Sequence, residues 1–213
     1  YYPFHNCVKD SNRNLITCDL NYDNGVYTIN YNKFEENIIE NNVKLFILCS
    51  PHNPAGRVWK EEELERLLEI CERHNVLVIS DEIHQDLVFG EHKHIPTASI
   101  ANGKYEDMVI TAFASSKTFN LATCLTSTIV IKNEKLRNTW DEFTKIYNQV
   151  EVNIFGLTAV EAVLKGGEEW YQALKEVILH NYNTVVDEMK EFPDAYIAPL
   201  EGTYLLFMDL RKY

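Results

Sequence analysis

The sequence predicts an α/β fold: a mixed, mostly parallel sheet with helices on both faces, followed by the first elements of a smaller α+β domain. Two patterns carry that expectation. Four apolar runs, 44–49 (KLFILC), 76–80 (VLVIS), 108–113 and 127–131, lack polar alternation, as strands covered on both faces do. Residues 60–74, between the first two runs, repeat apolar side chains at helical spacing, and strand–helix–strand alternation builds a parallel sheet covered by helices.

Taken in order, residues 14–19 and 25–29 read as a hairpin-like pair joined through Asp23-Asn24-Gly25, a strong turn signal. Residues 32–41 alternate charged and apolar side chains at helical spacing. In 60–74, Leu64, Leu67, Leu68 and Cys71 form one stripe, the predicted core face. Glu61, Glu62 and Glu63 fill the first turn of that helix and Arg73 and His74 the last, matching the helix dipole. After Lys132 the pattern becomes helical over 133–148, 155–165 and 168–191, with Pro193 ending the last. Residues 196–199 and 203–209 read as strands. A domain change is expected at Gly166-Gly167, giving a larger unit over 1–166 and the start of a smaller one over 167–213. The chain opens on Tyr1-Tyr2-Pro3-Phe4 without a methionine and stops at Tyr213, so both units are expected to be incomplete.

Composition narrows the function. A net charge of -12 argues against nucleic acid and anionic membrane as partners. The five cysteines form no CxxC pair and are odd in number, the usage of reduced thiols in a cytoplasmic protein. No export signal and no apolar run of ~18 residues is found. His92 and His94 form a His-x-His pair, but no cysteine or carboxylate pattern completes a tetrahedral site around them, so no metal is expected.

In an open α/β sheet, ligands bind outside the carboxyl ends of the strands. The run 44–49 is followed by Ser50-Pro51-His52-Asn53-Pro54-Ala55-Gly56-Arg57, the run 76–80 by Asp81-Glu82-Ile83-His84, and the run 108–113 by Ala114-Ser115-Ser116-Lys117-Thr118-Phe119-Asn120. Three strand ends thus offer an amide, a carboxylate and an amine. An amine forms an imine with an aldehyde cofactor, and a carboxylate opposite a pyridine nitrogen keeps that ring an electron sink. Each residue also has a plainer reading. Asp81 could cap a helix start, Asn53 could be turn chemistry, and His84 could be a hydrogen-bonded core histidine.

HNPAGR, SDEIHQDLVF and ASSKTFNLA together resemble the aminotransferase class I/II superfamily of fold-type I enzymes dependent on pyridoxal 5′-phosphate (PLP). The likeness is nearest to the cystathionine β-lyase-like (C–S lyase) branch and spans nearly the whole chain. The resemblance implies a PLP-binding large domain over 1–166. It makes Lys117 the Schiff-base lysine, pairs Asp81 with the pyridine nitrogen, sets Asn53 against the ring hydroxyl and stacks Tyr1 on the ring. His84 falls where many aminotransferases carry a tyrosine near that hydroxyl, and Ser115 and Ser116 are candidates for the phosphate. Two positions depart from the pattern. Thr123 stands where the C–S lyases carry glycine, and Ala114 where aminotransferases often carry serine.

What the resemblance implies is an amino-acid-metabolising enzyme, a homodimer acting on a small amino-acid substrate. Elimination of a thiol from Cβ makes it a lyase; reprotonation of the cofactor makes it an aminotransferase; a non-catalytic binding module is the third alternative. The arginine that orients the substrate carboxylate is expected beyond Tyr213, so residues 1–213 alone are expected to turn over weakly.

Overall fold

In the computed structural model, which describes residues 1–148 and 151–213, the chain begins with a helix that the apolar pattern did not announce: α1, Tyr2–Asp10. Pro3 in its first turn is the one local signal, because proline lacks only an N–H that a helix start leaves unbonded. The hairpin follows, with β1 (Asn21–Asp23) antiparallel to β2 (Val26–Thr28). Its first strand is therefore not 14–19, which forms no regular element. Asn24 and Gly25 both adopt positive φ, 45° and 88°, and such a two-residue turn pairs Asp23 directly with Val26. The strand must abut the turn. Helix α2 (Tyr31–Asn41) then starts on Asn30, whose side chain accepts from the Lys33 N–H.

The predicted strand–helix–strand unit is present as β3 (Leu45–Cys49), α3 (Glu61–Arg73) and β4 (Leu77–Asp81). After the short helical turn α4 (Ile100–Gly103), strands β5 (Val109–Phe113) and β6 (Thr128–Ile131) complete a sheet of order β3-β4-β5-β6, parallel throughout except for antiparallel β6. The stripe Leu64, Leu67, Leu68 and Cys71 is buried against it, together with Phe34, Ile38, Leu48, Trp59, Val78, Ile100 and Val109. Each such aliphatic side chain contributes about 1.5–3 kcal/mol on burial, so this cluster fixes the sheet from which the strand ends project.

Beyond the sheet come α5 (Glu134–Ile146) and α6 (Ile154–Gly166), capped by the side chains of Asn133 and Asn153, and then α7 (Glu168–Glu188). The long helix is three residues shorter than the pattern predicts; Met189–Glu191 close it as a tighter 3-10 turn. A short antiparallel pair, β7 (Tyr196–Ile197) and β8 (Met208–Asp209), ends the chain. The strand expected over 203–209 is thus confined to its last residues. The reason is competition for its backbone groups: Thr203 N–H donates to the Leu87 carbonyl at 2.8 Å and Gly202 bridges Val88, so this stretch docks on the loop after β4.

Candidate active site

Parallel register brings three strand ends level. Cys49 lies beside Asp81 and Asp81 beside Ala112, and the alignment continues into the loops: Ser50 N–H donates to the Asp81 carbonyl (3.0 Å) and Glu82 N–H to the Ala112 carbonyl (2.8 Å). The loops bearing Asn53, His84 and Lys117 therefore leave one edge of the sheet together.

The Asn53 loop is fastened at both ends. Asn53 N–H donates to Cys49 Sγ at 3.4 Å, and the same thiol donates to the Pro51 carbonyl at 3.4 Å. Farther on, Arg57 is buried and gives Glu63 a two-pronged contact (2.9 and 3.1 Å) and Glu201 a bond from Nε at 3.0 Å. Glu201 also accepts from the Val58 N–H at 2.8 Å. Gly56 carbonyl accepts from the N–H groups of Glu201 and Gly202. A Cβ at Gly202 would lie 2.8 Å from Val58 Cγ2 and 3.1 Å from Pro51 Cβ, so only glycine lets the Glu201 segment close against this loop.

Asp81 ends β4 half-buried. One carboxylate oxygen accepts from the Ile83 N–H at 3.1 Å, which braces the turn over residues 83–86; no helix starts there, so the contact is turn chemistry and not a helix cap. Burial holds its pKa above the usual carboxylate range, with Glu82 adding to the rise, while the Ile83 N–H and the Lys117 ammonium oppose it. A buried carboxylate in that condition is suited to a cationic partner. Glu82, next in sequence, points the other way and is buried with its own partners: Ser80 Oγ and Thr97 N–H at 2.9 Å each, and His94 Nε2 at 2.8 Å. That network anchors the end of β4 and accounts for one histidine of the His-x-His pair. Among the described residues, no group of three His, Cys, Asp or Glu side chains is placed to hold a metal ion.

His84 is 2% exposed, and its ring meets Tyr204 edge-on with 5.4 Å between centroids. Its Nδ1 is buried and has no hydrogen-bond partner among the described residues. It is therefore not the hydrogen-bonded core histidine of the plainer reading. Burial, reinforced by the Lys117 ammonium, lowers its pKa to about 4, so the ring is neutral near pH 7.

Lys117 rises from a turn over residues 115–120, closed by Phe119 N–H to the Ser115 carbonyl and Leu121 N–H to the Ser116 carbonyl, each 2.9 Å. Half-buried, its amine has no hydrogen bond or ion pair among the described residues, yet its charge is felt at both Asp81 and His84. Amine, carboxylate and imidazole thus share one electrostatic neighbourhood. Ser115 and Ser116 open this turn, half-buried, and Thr123 lies in the 3-10 turn Ala122–Cys124 beyond it.

Tyr1 is 48% exposed, its ring edge-on to Phe4 at 5.2 Å. The start of the chain lies near Cys49 and His52, beside the Asn53 loop. Sequence reasoning passed over His52 and Tyr204. His52 packs edge-on against Trp59 (5.6 Å), has a buried Nδ1 without a partner among the described residues, and its pKa is lowered to about 4, chiefly by burial with Arg57 adding. Its place beside Asn53 in a strand-end loop was the available signal. Tyr204 reaches His84 only through the folding back of the chain end, which no local pattern announces.

Comparison with known proteins agrees with this geometry. The family model "Aminotransferase class I and II" matches residues 1–213. The chain is 35% identical to cystathionine beta-lyase PatB of Bacillus subtilis (strain 168), over 100% of this chain and 55% of that protein. A PLP-bound crystal structure of a Clostridium difficile 630 protein superposes with a TM-score of 0.93 at 42% identity, over 98% of this chain and 54% of that one. The PLP-bound C-S lyase from Staphylococcus hominis gives 0.93 at 36% identity, over 100% of this chain and 53% of that one. The chain spans about half the length of the relatives it matches. With its three motifs gathered at one sheet edge and the family model matched from end to end, the chain belongs to the aminotransferase class I and II family.

Proposed function

We propose that this chain forms the PLP-binding site of a C–S β-lyase of the cystathionine β-lyase kind, which releases a thiol from a cysteine-type amino acid. The observation that carries the reading is the convergence, at one edge of the sheet, of the half-buried Asp81 carboxylate with the Lys117 amine and the His84 Nδ1, neither of which has a partner among the described residues. Each lacks what PLP has to offer. Asp81 would hold a protonated pyridine nitrogen, relieving the cost of its burial. His84 Nδ1 and the Asn53 amide would meet the ring hydroxyl, Tyr1 would cover the ring face, and Ser115 and Ser116 would take the phosphate.

When bound, PLP supplies an aldehyde carbon and a pyridinium ring able to accept electron density from the substrate Cα. The chain's own residues do the rest. Lys117 would hold PLP through its amine, and that amine, when free, would take the Cα proton on Nζ. Asp81 would keep the ring nitrogen cationic. His84, neutral at working pH, can hydrogen-bond the ring hydroxyl without adding a second positive charge beside Lys117.

The same reading divides the chain into a PLP-binding part over 1–166 and the start of a smaller domain over 167–213. Its support is that α7 buries none of its residues and that β7–β8 forms a sheet of its own. It also makes the enzyme a homodimer in the cytoplasm. Ile146, Ile154, Phe155 and Leu164 on α5 and α6 are largely exposed, an apolar surface suited to a second copy. All five cysteines are free, and among the described residues no helix is long and apolar enough to cross a membrane. Amino-acid profiling of the enzyme tests the reaction. Pyruvate, ammonia and thiol from cystathionine or cysteine are expected. Keto-acid exchange without pyruvate would make it an aminotransferase, and a colourless protein that takes up no PLP would make it a binding module.

A further inference from the structure

The turn that carries Lys117 is held from outside by groups that the chemistry above does not use. Thr118, adjacent to Lys117, is 1% exposed, and its hydroxyl donates to Asp86 Oδ2 at 2.7 Å. Asp86 lies two residues past His84 in the loop after β4. Its backbone carbonyl accepts from the hydroxyl of Tyr171, in the first turn of α7. On the far side of Thr118, the Phe119 ring rests 5.7 Å from Trp170 and 6.3 Å from that same Tyr171. Gly167, at the joint of α6 and α7, makes room for it, since a Cβ there would lie 2.5 Å from Phe119 Cε1.

Tyr171 therefore touches both strand-end loops, by its hydroxyl at Asp86 and by its ring at Phe119. The long Lys117 side chain has no partner of its own among the described residues, so the backbone it springs from decides where its amine points. Among the described residues, two backbone bonds close that turn from within, and the remaining hold on it comes from Thr118 and Phe119. Reaction at an amine depends steeply on its placement, and a displacement of ~1 Å can cost about a hundredfold in rate.

We propose that Asp86, Thr118 and Tyr171 form a clamp that aims the Lys117 amine at the Asp81–His84 neighbourhood. They are positioning residues acting through Lys117, and the proposal rests on the reading of Lys117 as the PLP lysine. A hydroxyl buried merely for packing would affect stability alone. The clamp instead sets how fast Lys117 captures the cofactor.

The test uses the full-length enzyme freed of PLP. PLP is added, the mixture is quenched with borohydride at intervals, and pyridoxyl on Lys117 is followed by peptide mapping beside the urea unfolding midpoint. Thr118→Val keeps the volume and removes the donor; it is expected to slow labelling of Lys117 about tenfold. Thr118→Ser retains the donor and should label within about twofold of the parent. Tyr171→Phe removes only the hydroxyl at the Asp86 carbonyl; it remains informative if Thr118→Val does not fold, and labelling about threefold slower is expected. Parental labelling rates in folded Thr118→Val, or in Tyr171→Phe where Thr118→Val does not fold, overturn the clamp and leave the role of Lys117 intact. Equal slowing by Val and Ser at Thr118 also overturns it, because the hydroxyl would then not matter. A parent that takes no label on Lys117 removes the reading of Lys117 itself, and the clamp with it.

Discussion

Replacing His84 by phenylalanine should abolish a definite share of the protein's acid sensitivity. The parent histidine is buried and neutral, with its pKa lowered from 6.5 to about 4 by burial and by Lys117. In the unfolded chain the imidazole takes up its proton near pH 6.5; in the folded protein it does so only near pH 4. Between those values the unfolded state binds more protons, so stability falls as the pH falls, and the contribution is fully present above pH 6.5. At ~1.4 kcal/mol per pH unit, the interval amounts to about 3 kcal/mol. Phenylalanine preserves the edge-on contact with Tyr204 and removes the titration. Urea unfolding of the PLP-free parent and His84→Phe at pH 7, 6, 5 and 4.5 gives the comparison. The gap between the two curves should move by about 2 kcal/mol in favour of the variant from pH 7 to pH 4.5. Parallel curves over that range would mean that His84 reaches solvent or a partner in the folded protein and is not held neutral by burial.

Asp81→Ala should cost the enzyme about a hundredfold or more in turnover, the loss of a charge partner at the cofactor ring. Steady-state pyruvate release measures it, and urea unfolding should show a stability loss of only about 1 kcal/mol from the lost turn bond to the Ile83 N–H. Leu68→Ala empties part of the fully enclosed core beneath the sheet and should cost about 2–5 kcal/mol in urea unfolding of the PLP-free protein.

Local chemistry made the centre of the fold legible. The runs 44–49 and 108–113 form strands that end at the predicted residues and start one later, and the run 76–80 is shifted by one at both ends, which brings Asp81 into β4. The Leu64–Cys71 stripe faces inward because 3.6-residue periodicity leaves it no other way to leave water. Lys117, Asp81 and His84 could be read for the same reason: each follows a buried strand, and parallel register aligns strand ends without further information. Elsewhere the deciding interactions lie far apart in sequence. Arg57 meets Glu201 across 143 intervening residues, Tyr171 finds the Asp86 carbonyl, and Thr203 gives its N–H to Leu87 and not to a sheet. No spacing rule encodes such pairs. The first hairpin strand differs for a local reason: the two-residue Asn24-Gly25 turn pairs Asp23 with Val26 and so places the strand at 21–23, against the turn, and not at 14–19.

The central claim is that the amine at Lys117 is the one that holds the cofactor. Borohydride reduction of the PLP-loaded enzyme, followed by proteolysis and mass spectrometry, tests it without relying on activity. Pyridoxyl label confined to the peptide that contains Lys117 is the predicted result, and Asp81→Ala should retain that label while losing turnover. Label on any other lysine, or an unlabelled Lys117 in a protein that binds PLP, would contradict the account.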